Sequence, residues 1–252
     1  MSQAFADKLL TENRLLGGRL ALLQPRKGYR AGLDAALLSA GLGLEPGQRA
    51  LEAGCGPGAA LLQAAFRAPE ARLTGVEREA EALDLAQRNI EANALHDRVQ
   101  ALAGDVGQGF AALGLPPFDA AFANPPFFDD ATALRGPAPA KAAAWLADDG
   151  LAAWSRFLLD AVRHGGAVTV IHRADRLADL LSTLSAGGGS FAVRPVQPFA
   201  DAPAKRLLIR AVKGGRAPLT LLPALILHDR NAAAVHTPEA DAILRGEASI
   251  GW

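Results

Sequence analysis

From residue 49 onward, short apolar runs alternate with segments of helical composition, and this alternation limits the possible folds more than any other pattern. The runs predict strands at residues 49–53, 71–76, 99–103, 119–123 and 167–172. Helical patterns occupy residues 59–67, 80–93, 151–163 and 177–185. Strands that alternate with helices form a parallel sheet with right-handed crossovers. We therefore predict an α/β fold with a doubly wound, mostly parallel, Rossmann-like sheet.

The end of this core follows a different pattern. Residues 190–196 and 205–212 are strand-like, but only a short proline-containing segment lies between them. Two strands joined without a helix are antiparallel neighbours, so we expect a C-terminal hairpin at one edge of a seven-stranded sheet.

Two flanking segments complete the predicted organisation. Residues 1–44 are mostly helix-permissive and predict an N-terminal helical extension that packs on the core. Residues 45–252 form the main domain, with a C-terminal appendage from about residue 219. In that appendage Thr237-Pro238 predicts the start of a short helix, because Thr is a good N-cap and Pro suits the first helical position.

Composition excludes several classes of protein. The 252 residues carry 26 Lys+Arg against 26 Asp+Glu, so a strongly basic, histone-like nucleic-acid binder is excluded. One cysteine excludes a disulfide framework and a Cys-built zinc site, and no other cluster suggests a metal. The first ten residues do not predict a signal peptide, and no uncharged apolar run reaches the roughly 18 residues of a membrane span. We expect a cytoplasmic protein.

The neutral total hides two basic segments. Residues 1–30 hold six cations against two acids, and residues 202–218 hold five cations and no acid. Such segments suit an RNA partner. They are equally typical of solvated protein faces, above all on a strand, where alternation sends some of the cations to one face only.

The first predicted strand runs into a dense glycine turn. Glu52-Ala53 is followed by Gly54-Cys55-Gly56-Pro57-Gly58. Glycine lets the backbone turn sharply and lets a ligand approach it closely. The turn fits a dinucleotide fingerprint when it is read as G-x-G-x-x-A. It also fits an acidic residue followed by G-x-G-x-G, the methyl-donor loop of S-adenosylmethionine enzymes, and a tight turn without a ligand is the third interpretation.

Acidic residues follow the next two strands. Glu77 can accept hydrogen bonds from both hydroxyls of a ribose, or it can be a solvated acid at the start of the next helix. Asp105 can accept from an adenine amino group, or it can cap a helix. In a doubly wound sheet, ligands bind beyond these carboxyl ends.

The fourth strand ends at Asn124-Pro125-Pro126-Phe127, which decides between these interpretations. The prolines stiffen the turn, so the Asn124 side chain and the Pro125 carbonyl take a defined arrangement. Two such acceptors match the two N–H bonds of a planar amino group, and Phe127 offers a ring for stacking. The alternative is an ordinary loop with Phe127 packed in the core.

These motifs carry a family resemblance. Residues 49–214 resemble the class I S-adenosylmethionine-dependent methyltransferases, and Asn124-Pro125-Pro126-Phe127 looks like their N-P-P-[YFW] motif. The flanks are similar to the bacterial family that methylates N6 of an adenosine beside the anticodon of a valine tRNA. The matching segments are Gln24-Pro25-x-x-Gly28-Tyr29-Arg30, Asp34 with Leu37-Leu38, Lys205-Arg206-Leu207-Leu208, Lys213-Gly214 and Leu227-His228. Phe127 departs from that family, in which Tyr is common.

The resemblance implies S-adenosylmethionine as cofactor and tRNA as the partner. The implied catalytic residues are Asn124, Pro125, Pro126 and Phe127. The implied donor-binding residues are Glu52, Gly54, Cys55, Gly56, Gly58, Glu77, Arg78, Asp105, Val106 and Asn124, with Tyr29, Arg30 and Asp34 closing over the donor. His172 is interpreted as a structural histidine.

Three other functions stay open. A methyltransferase on another amino group, such as a glutamine amide, shares the motifs but usually carries a separate docking domain. A non-catalytic binder of S-adenosylmethionine or RNA has no need of an intact Asn124-Pro125-Pro126. A nicotinamide dehydrogenase has no use for that turn.

Overall fold

The computed structural model describes residues 10–26, 32–126 and 149–252. Within that part of the chain the central sheet has seven longer strands, as the sequence predicts. They are β3 (Arg49–Ala53), β4 (Arg72–Glu77), β5 (Val99–Ala103), β6 (Phe118–Ala123), β7 (Val162–Arg173), β8 (Gly188–Gln197) and β9 (Arg206–Lys213). Their order across the sheet is β8-β9-β7-β6-β3-β4-β5. The β3, β4, β5, β6 and β7 strands are parallel, and β9 is antiparallel to both β7 and β8, which confirms the predicted hairpin.

Helices cover both faces of this sheet, as expected for strands buried on two sides. They are α1 (Leu33–Ala40), α2 (Ala59–Arg67), α3 (Ala80–Ala92), α4 (Asp149–Ala161), α5 (Leu177–Leu184) and α6 (Pro238–Leu244). One apolar core lies between the sheet and α1, α2 and α3, and a second lies under α4 and α5. Thr237 caps α6 through its hydroxyl, which accepts from the Ala240 N–H, as its sequence predicts. No helix in the described ranges is long and apolar enough to cross a membrane.

The N-terminal segment corrects the sequence prediction. Instead of a wholly helical extension, β1 (Leu10–Leu15) and β2 (Leu20–Pro25) form an antiparallel hairpin before α1. Leu16 and the two glycines after it take left-handed backbone conformations and close the turn. Along β2, buried and half-buried residues alternate, which is the pattern of a strand with one covered face.

The appendage after residue 219 adds two short strands to the sheet. β10 (Thr220–Leu221) and β11 (Leu225–Ile226) both pair in parallel with β8 and bring the strand count to nine. The apolar run that the sequence shows here therefore extends the hairpin edge. The domain boundary at residue 44 stays a prediction.

Candidate active site

The glycine turn lies at the centre of the carboxyl edge of the sheet. Ala53, the last residue of β3, is paired with Val76 of β4 on one side and Ala123 of β6 on the other. Gly54, Gly56 and Gly58 follow with φ angles of 64°, 53° and 88°. Side chains other than glycine rarely adopt this left-handed region, so the turn requires its glycines. A Cβ atom at Gly56 would meet no atom within 4 Å, so the turn borders open space.

The Glu77 carboxylate ties the glycine turn to the neighbouring strand. Its Oε2 accepts from the Gly56 N–H at 2.8 Å, and its Oε1 accepts from the N–H groups of Arg78 and Glu79 at 2.9 Å each. A carboxylate has about four acceptor positions, so these three bonds leave room for one more donor. Glu77 is therefore a structural anchor of the turn that can still accept from a ligand.

Glu52 is a buried acid beneath the same turn. Its side chain is 3% exposed, and burial, with a further contribution from the charge of Glu77, raises the pKa of its carboxyl well above the usual range. Its Oε2 has no hydrogen-bond partner within the described residues. A buried acceptor without a donor destabilises a fold unless a ligand supplies one. This atom therefore suits a cationic amine, such as the ammonium of the methionine end of a methyl donor.

Four further residues predicted to bind the donor lie around this turn. The Cys55 thiol packs into the core against Gly75, and burial raises its pKa, so this side chain acts as a small apolar group. Arg78 pairs with Glu79 at 3.0 Å. Asp105 accepts from the Gly107 N–H at 2.8 Å and caps a short 3-10 turn, and Val106 is buried beside it. A role for these four residues in binding the methyl donor stays a prediction.

The Asn-Pro turn lies directly beside the glycine turn. Because Ala123 pairs with Ala53, the next residues, Asn124 and Gly54, start the loops of adjacent strands. Adjacent strands are about 4.8 Å apart, so the two loops are immediate neighbours. Asn124 is half-buried, Pro125 is buried and Pro126 is exposed. Phe127 lies outside the described residues.

Of the residues predicted to close over the methyl donor, Asp34 alone lies within the described residues. Tyr29 and Arg30 lie outside the described residues. Asp34, in the first turn of α1, pairs with Arg206 of β9, and Oδ2 and Nε are 3.0 Å apart. β9 is separated from β6 by β7, so this ion pair lies to one side of the Asn-Pro turn.

Two contacts of the glycine turn are absent from the sequence prediction. The Trp154 ring of α4 lies against Gly54 so closely that a Cβ on that glycine would be 2.4 Å from it. Asn89 of α3 is fully buried and donates from Nδ2 to the carbonyl oxygens of Leu23 and Pro57, at 2.9 Å each. It thereby links the N-terminal hairpin to the glycine turn. A buried asparagine in a helix interior is the one signal that could have revealed this link.

His172 lies on β7, the strand between β6 and β9. It is 3% exposed, and burial, with smaller contributions from Arg176 and Arg173, lowers its pKa to about 4. The imidazole is therefore neutral at physiological pH, which agrees with the structural interpretation.

Comparisons with known proteins identify this arrangement. A family model described as methyltransferase small domain matches residues 31–151. The tRNA1(Val) (adenine(37)-N6)-methyltransferase of Yersinia enterocolitica is 34% identical over 135 residues, 51% of this chain and 53% of that protein. The release factor glutamine methyltransferase of Chlorobaculum tepidum is 33% identical over 96 residues, 38% of this chain and 33% of that protein. The chain thus spans about half or less of the length of these relatives.

A solved structure from Agrobacterium tumefaciens, described as a "predicted O-methyltransferase", matches far more of the chain. It is 27% identical, covers 86% of this chain and 98% of its own, and superposes with a TM-score of 0.73. Family and structural neighbours indicate S-adenosylmethionine as the methyl donor, and the buried, unpartnered oxygen of Glu52 fits that group. The chain therefore resembles the class I S-adenosylmethionine-dependent methyltransferases in sequence and fold, and its residues 31–151 match the methyltransferase small domain.

Proposed function

We propose that this protein transfers a methyl group from S-adenosylmethionine to the exocyclic N6 amine of an adenosine in the anticodon-loop region of a tRNA. The observation that carries the proposal is the register of β3 and β6, which makes Asn124 the neighbour of Gly54. A donor held by the glycine turn and an amine held by the Asn-Pro turn would lie side by side.

Three residues would hold the donor. The ammonium of S-adenosylmethionine fits the Oε2 atom of Glu52, and its methionine chain fits the open space at Gly56. The remaining acceptor position of Glu77 fits a hydroxyl of its ribose. S-adenosylmethionine would supply a methyl group on a sulfonium, which is electrophilic without further activation. The S–C bond would break as the N–C bond forms, and the leaving group would be the neutral thioether S-adenosylhomocysteine.

The acceptor residues would solve a different problem, since the lone pair of the adenine amine is delocalised into the ring. Asn124 Oδ1 and the Pro125 carbonyl oxygen would each accept one N–H bond and favour a pyramidal nitrogen. Its lone pair would then point away from both acceptors, toward the methyl group. Positioning and electrostatics supply the rate acceleration, and the surplus proton passes to water. A strong general base is not needed, which agrees with a neutral, buried His172.

A tRNA substrate is supported by relatives and by the nature of the loop. The Yersinia relative is named for adenine N6 methylation of a tRNA. The target base must leave its stack, and an anticodon loop is already unpaired, which lowers that cost. Such a substrate places the reaction in the cytoplasm, as the sequence predicts.

The basic segments contribute less free charge than their composition indicates. In residues 202–218, Arg206 pairs with Asp34, Arg210 packs its guanidinium over Trp252, and Lys213 donates to the Val162 carbonyl. Lys205 and Arg216 are the exposed cations of that segment. We therefore expect recognition of RNA to depend on shape and stacking as well as on charge.

A glutamine amide in a protein is the second candidate substrate. The match to a release factor glutamine methyltransferase favours it, because an amide NH2 is also planar and would fit the same two acceptors. The Asn-Pro turn suits both an adenine amine and a glutamine amide, so an assay with each substrate must distinguish them.

The test uses the full chain with S-adenosylmethionine labelled in the methyl group and unmodified bacterial tRNA. After digestion to nucleosides, we expect the label in N6-methyladenosine. Label in another nucleoside would contradict the assigned base. Label in a release factor added in place of tRNA, with none in RNA, would establish the glutamine alternative and overturn the proposal.

A further inference from the structure

Four planar side chains form a continuous stack beyond the hairpin edge of the sheet. The Arg230 guanidinium lies 3.9 Å from the centre of the Phe199 ring. The Phe199 and His228 rings are 5.6 Å apart and tilted by 47°, and His228 stacks on His236 at 5.0 Å and 25°. We call these four residues the planar stack. None of them belongs to the glycine turn or to the Asn-Pro turn.

The loop that carries the stack is fixed in place. Thr237 donates from its hydroxyl to the Ile226 carbonyl at 2.7 Å and from its N–H to the Leu227 carbonyl at 2.9 Å. These two bonds close residues 227–237 into a loop and bring His236 back onto His228. The His228 Nδ1 donates to the Val235 carbonyl, which fixes the plane of that ring. The stack is therefore preorganised.

The stack lies beyond the carboxyl ends of the strands that carry it, at the same end of the sheet as the Asn-Pro turn. Phe199 follows the end of β8 by two residues, and His228 follows the end of β11 by two. Both strands run in the same direction as β6. Three strand spacings separate β8 from β6, about 14 Å at 4.8 Å each. That is roughly the length of four stacked nucleotides at about 3.4 Å each.

We propose that the planar stack is a binding platform for nucleobases of single-stranded RNA that flank the target adenosine. This inference rests on the proposed function and names how the same enzyme engages its substrate. Flat rings and a guanidinium plane are the groups on which unpaired bases stack. The outer member, Arg230, has a side chain that is 57% exposed, so a base can approach it from the solvent.

The charged groups near the planar stack do not by themselves explain how it would bind RNA. Arg230 lies 3.4 Å from Asp201, and Arg206 pairs with Asp34, while Asp229 caps the turn to Asn231 and Lys205 is exposed. Among the described residues, three cations and three acids therefore lie within or beside the stack. A surface of balanced charge with ordered rings favours bases over a bare phosphate chain.

The experiment measures binding of the full chain to an unmodified anticodon stem-loop RNA by fluorescence anisotropy. Arg230→Ala removes the outer plane, and Phe199→Ala removes the ring that supports it. Each variant is therefore expected to raise the Kd for RNA about tenfold, the size of one lost base-stacking contact. Phe199→Trp keeps a ring and is expected to restore wild-type affinity, whereas Phe199→Leu keeps apolar packing alone and is not.

A matched control is Arg163→Ala. Arg163 is 55% exposed and pairs with Asp119 at 2.7 Å, but it lies at the start of β7, on the opposite edge of the sheet. Its removal should leave the Kd for RNA unchanged. The Kd for S-adenosylhomocysteine, measured for each variant, reports whether the fold is intact.

Failure of this inference can be distinguished from failure of the proposed function. If the wild type methylates tRNA and Phe199→Ala binds the stem-loop as tightly as the wild type does, the platform is wrong and the activity stands. Equal losses in Arg163→Ala and Arg230→Ala would also overturn the platform. If the wild type binds the stem-loop but transfers no methyl group to RNA, and Phe199→Ala and Arg230→Ala weaken binding while Arg163→Ala does not, the platform stands and the activity is wrong.

Discussion

Two stretches of one sheet edge differ in how they treat polar groups. At the donor edge, over β3, β4 and β6, Glu52 and Glu77 are buried, and the backbone N–H groups of Gly56, Arg78 and Glu79 donate to the second of them. At the stack edge, over β8 and β11, charged groups are exposed and paired, and planar side chains lie against each other. A buried carboxylate is costly, so it suits a small set of fixed contacts to one ligand. Half-buried rings beneath an exposed guanidinium suit a substrate of variable sequence. The two stretches should therefore respond to mutation in different kinetic constants.

The largest effect is expected from Asn124→Ala. If this variant changed the Kd for RNA and not kcat, as the stack variants should, the contrast between the two stretches would be wrong. Losing one of two acceptors for the amine should lower kcat on the order of 10³-fold, by analogy with the removal of one preorganised catalytic hydrogen bond. The Kd for S-adenosylhomocysteine, read by calorimetry, should stay near the wild-type value. Asn124→Asp keeps an acceptor oxygen and should retain more activity than the alanine variant. A kcat that is unchanged would remove Asn124 from the reaction.

His172 lies between the two stretches and tests whether they share one stable core. Its folded pKa of about 4 is below the unfolded value of about 6.5, so the unfolded chain binds the proton more tightly. Stability is fully present above about pH 6.5 and falls as the pH drops toward 4, by up to about 3 kcal/mol.

Urea unfolding of the wild type and of His172→Gln at neutral and acidic pH measures this difference. The variant should be less stable at neutral pH because of lost packing, but its stability should decline less on acidification. Parallel declines in the two proteins would contradict a neutral, buried imidazole.

Glu77→Gln sharpens the account of the donor edge. The carboxylate accepts three backbone N–H bonds, and an amide would turn an NH2 toward at least one of them. An unsatisfied buried donor costs about 2 kcal/mol, so the amide should displace the glycine turn from the geometry that the ligand needs. Restoring that geometry on binding should raise the Kd for S-adenosylhomocysteine by up to roughly 30-fold. Glu79→Gln is the matched control, because Glu79 is adjacent but its side chain is 58% exposed. Similar effects in both variants would show that the anchor is unimportant.

The smallest effect is the pH dependence that Glu52 confers on donor binding. Burial keeps its pKa high in the free protein, and an ammonium beside it would favour the ionised form, so binding releases a proton. Affinity for S-adenosylhomocysteine should therefore weaken, by up to about tenfold per pH unit, as the pH falls below that raised pKa. Calorimetry from about pH 7 down to about pH 5 measures it. Glu52→Gln should bind weakly at every pH, and a wild type with a flat profile would contradict the role of Glu52.

Much of the sheet could be predicted because its signals are local. Apolar runs, the glycines after Ala53 and the Thr237-Pro238 cap each act within a few residues. The N-terminal hairpin could not, because what stabilises β2 is distant in sequence. Asn89 binds the Leu23 N–H, and Asn93 binds the Ala21 N–H, from a helix about 70 residues away. Leucine-rich segments favour helices by themselves, and tertiary hydrogen bonds override that preference here.

The candidate site divides in the same way. Glu52, Glu77 and Asn124 lie at strand ends, so the parallel topology alone predicts their edge. The direct bond from Gly56 to Glu77 and the Trp154 ring against Gly54 depend on packing between elements far apart in the chain. The ion pair that engages Asp34 depends in the same way on where α1 lies against β9. No pattern in the sequence encodes these contacts.

The adjacency of the glycine turn and the Asn-Pro turn is tested most directly by a crystal structure of the full chain with S-adenosylhomocysteine. We predict that the ligand lies on Gly54, Gly56 and Gly58, with its ammonium on Glu52, its ribose on Glu77 and its sulfur facing Asn124. A ligand bound away from the glycine turn, or a sulfur shielded from Asn124 by protein atoms, would contradict the account.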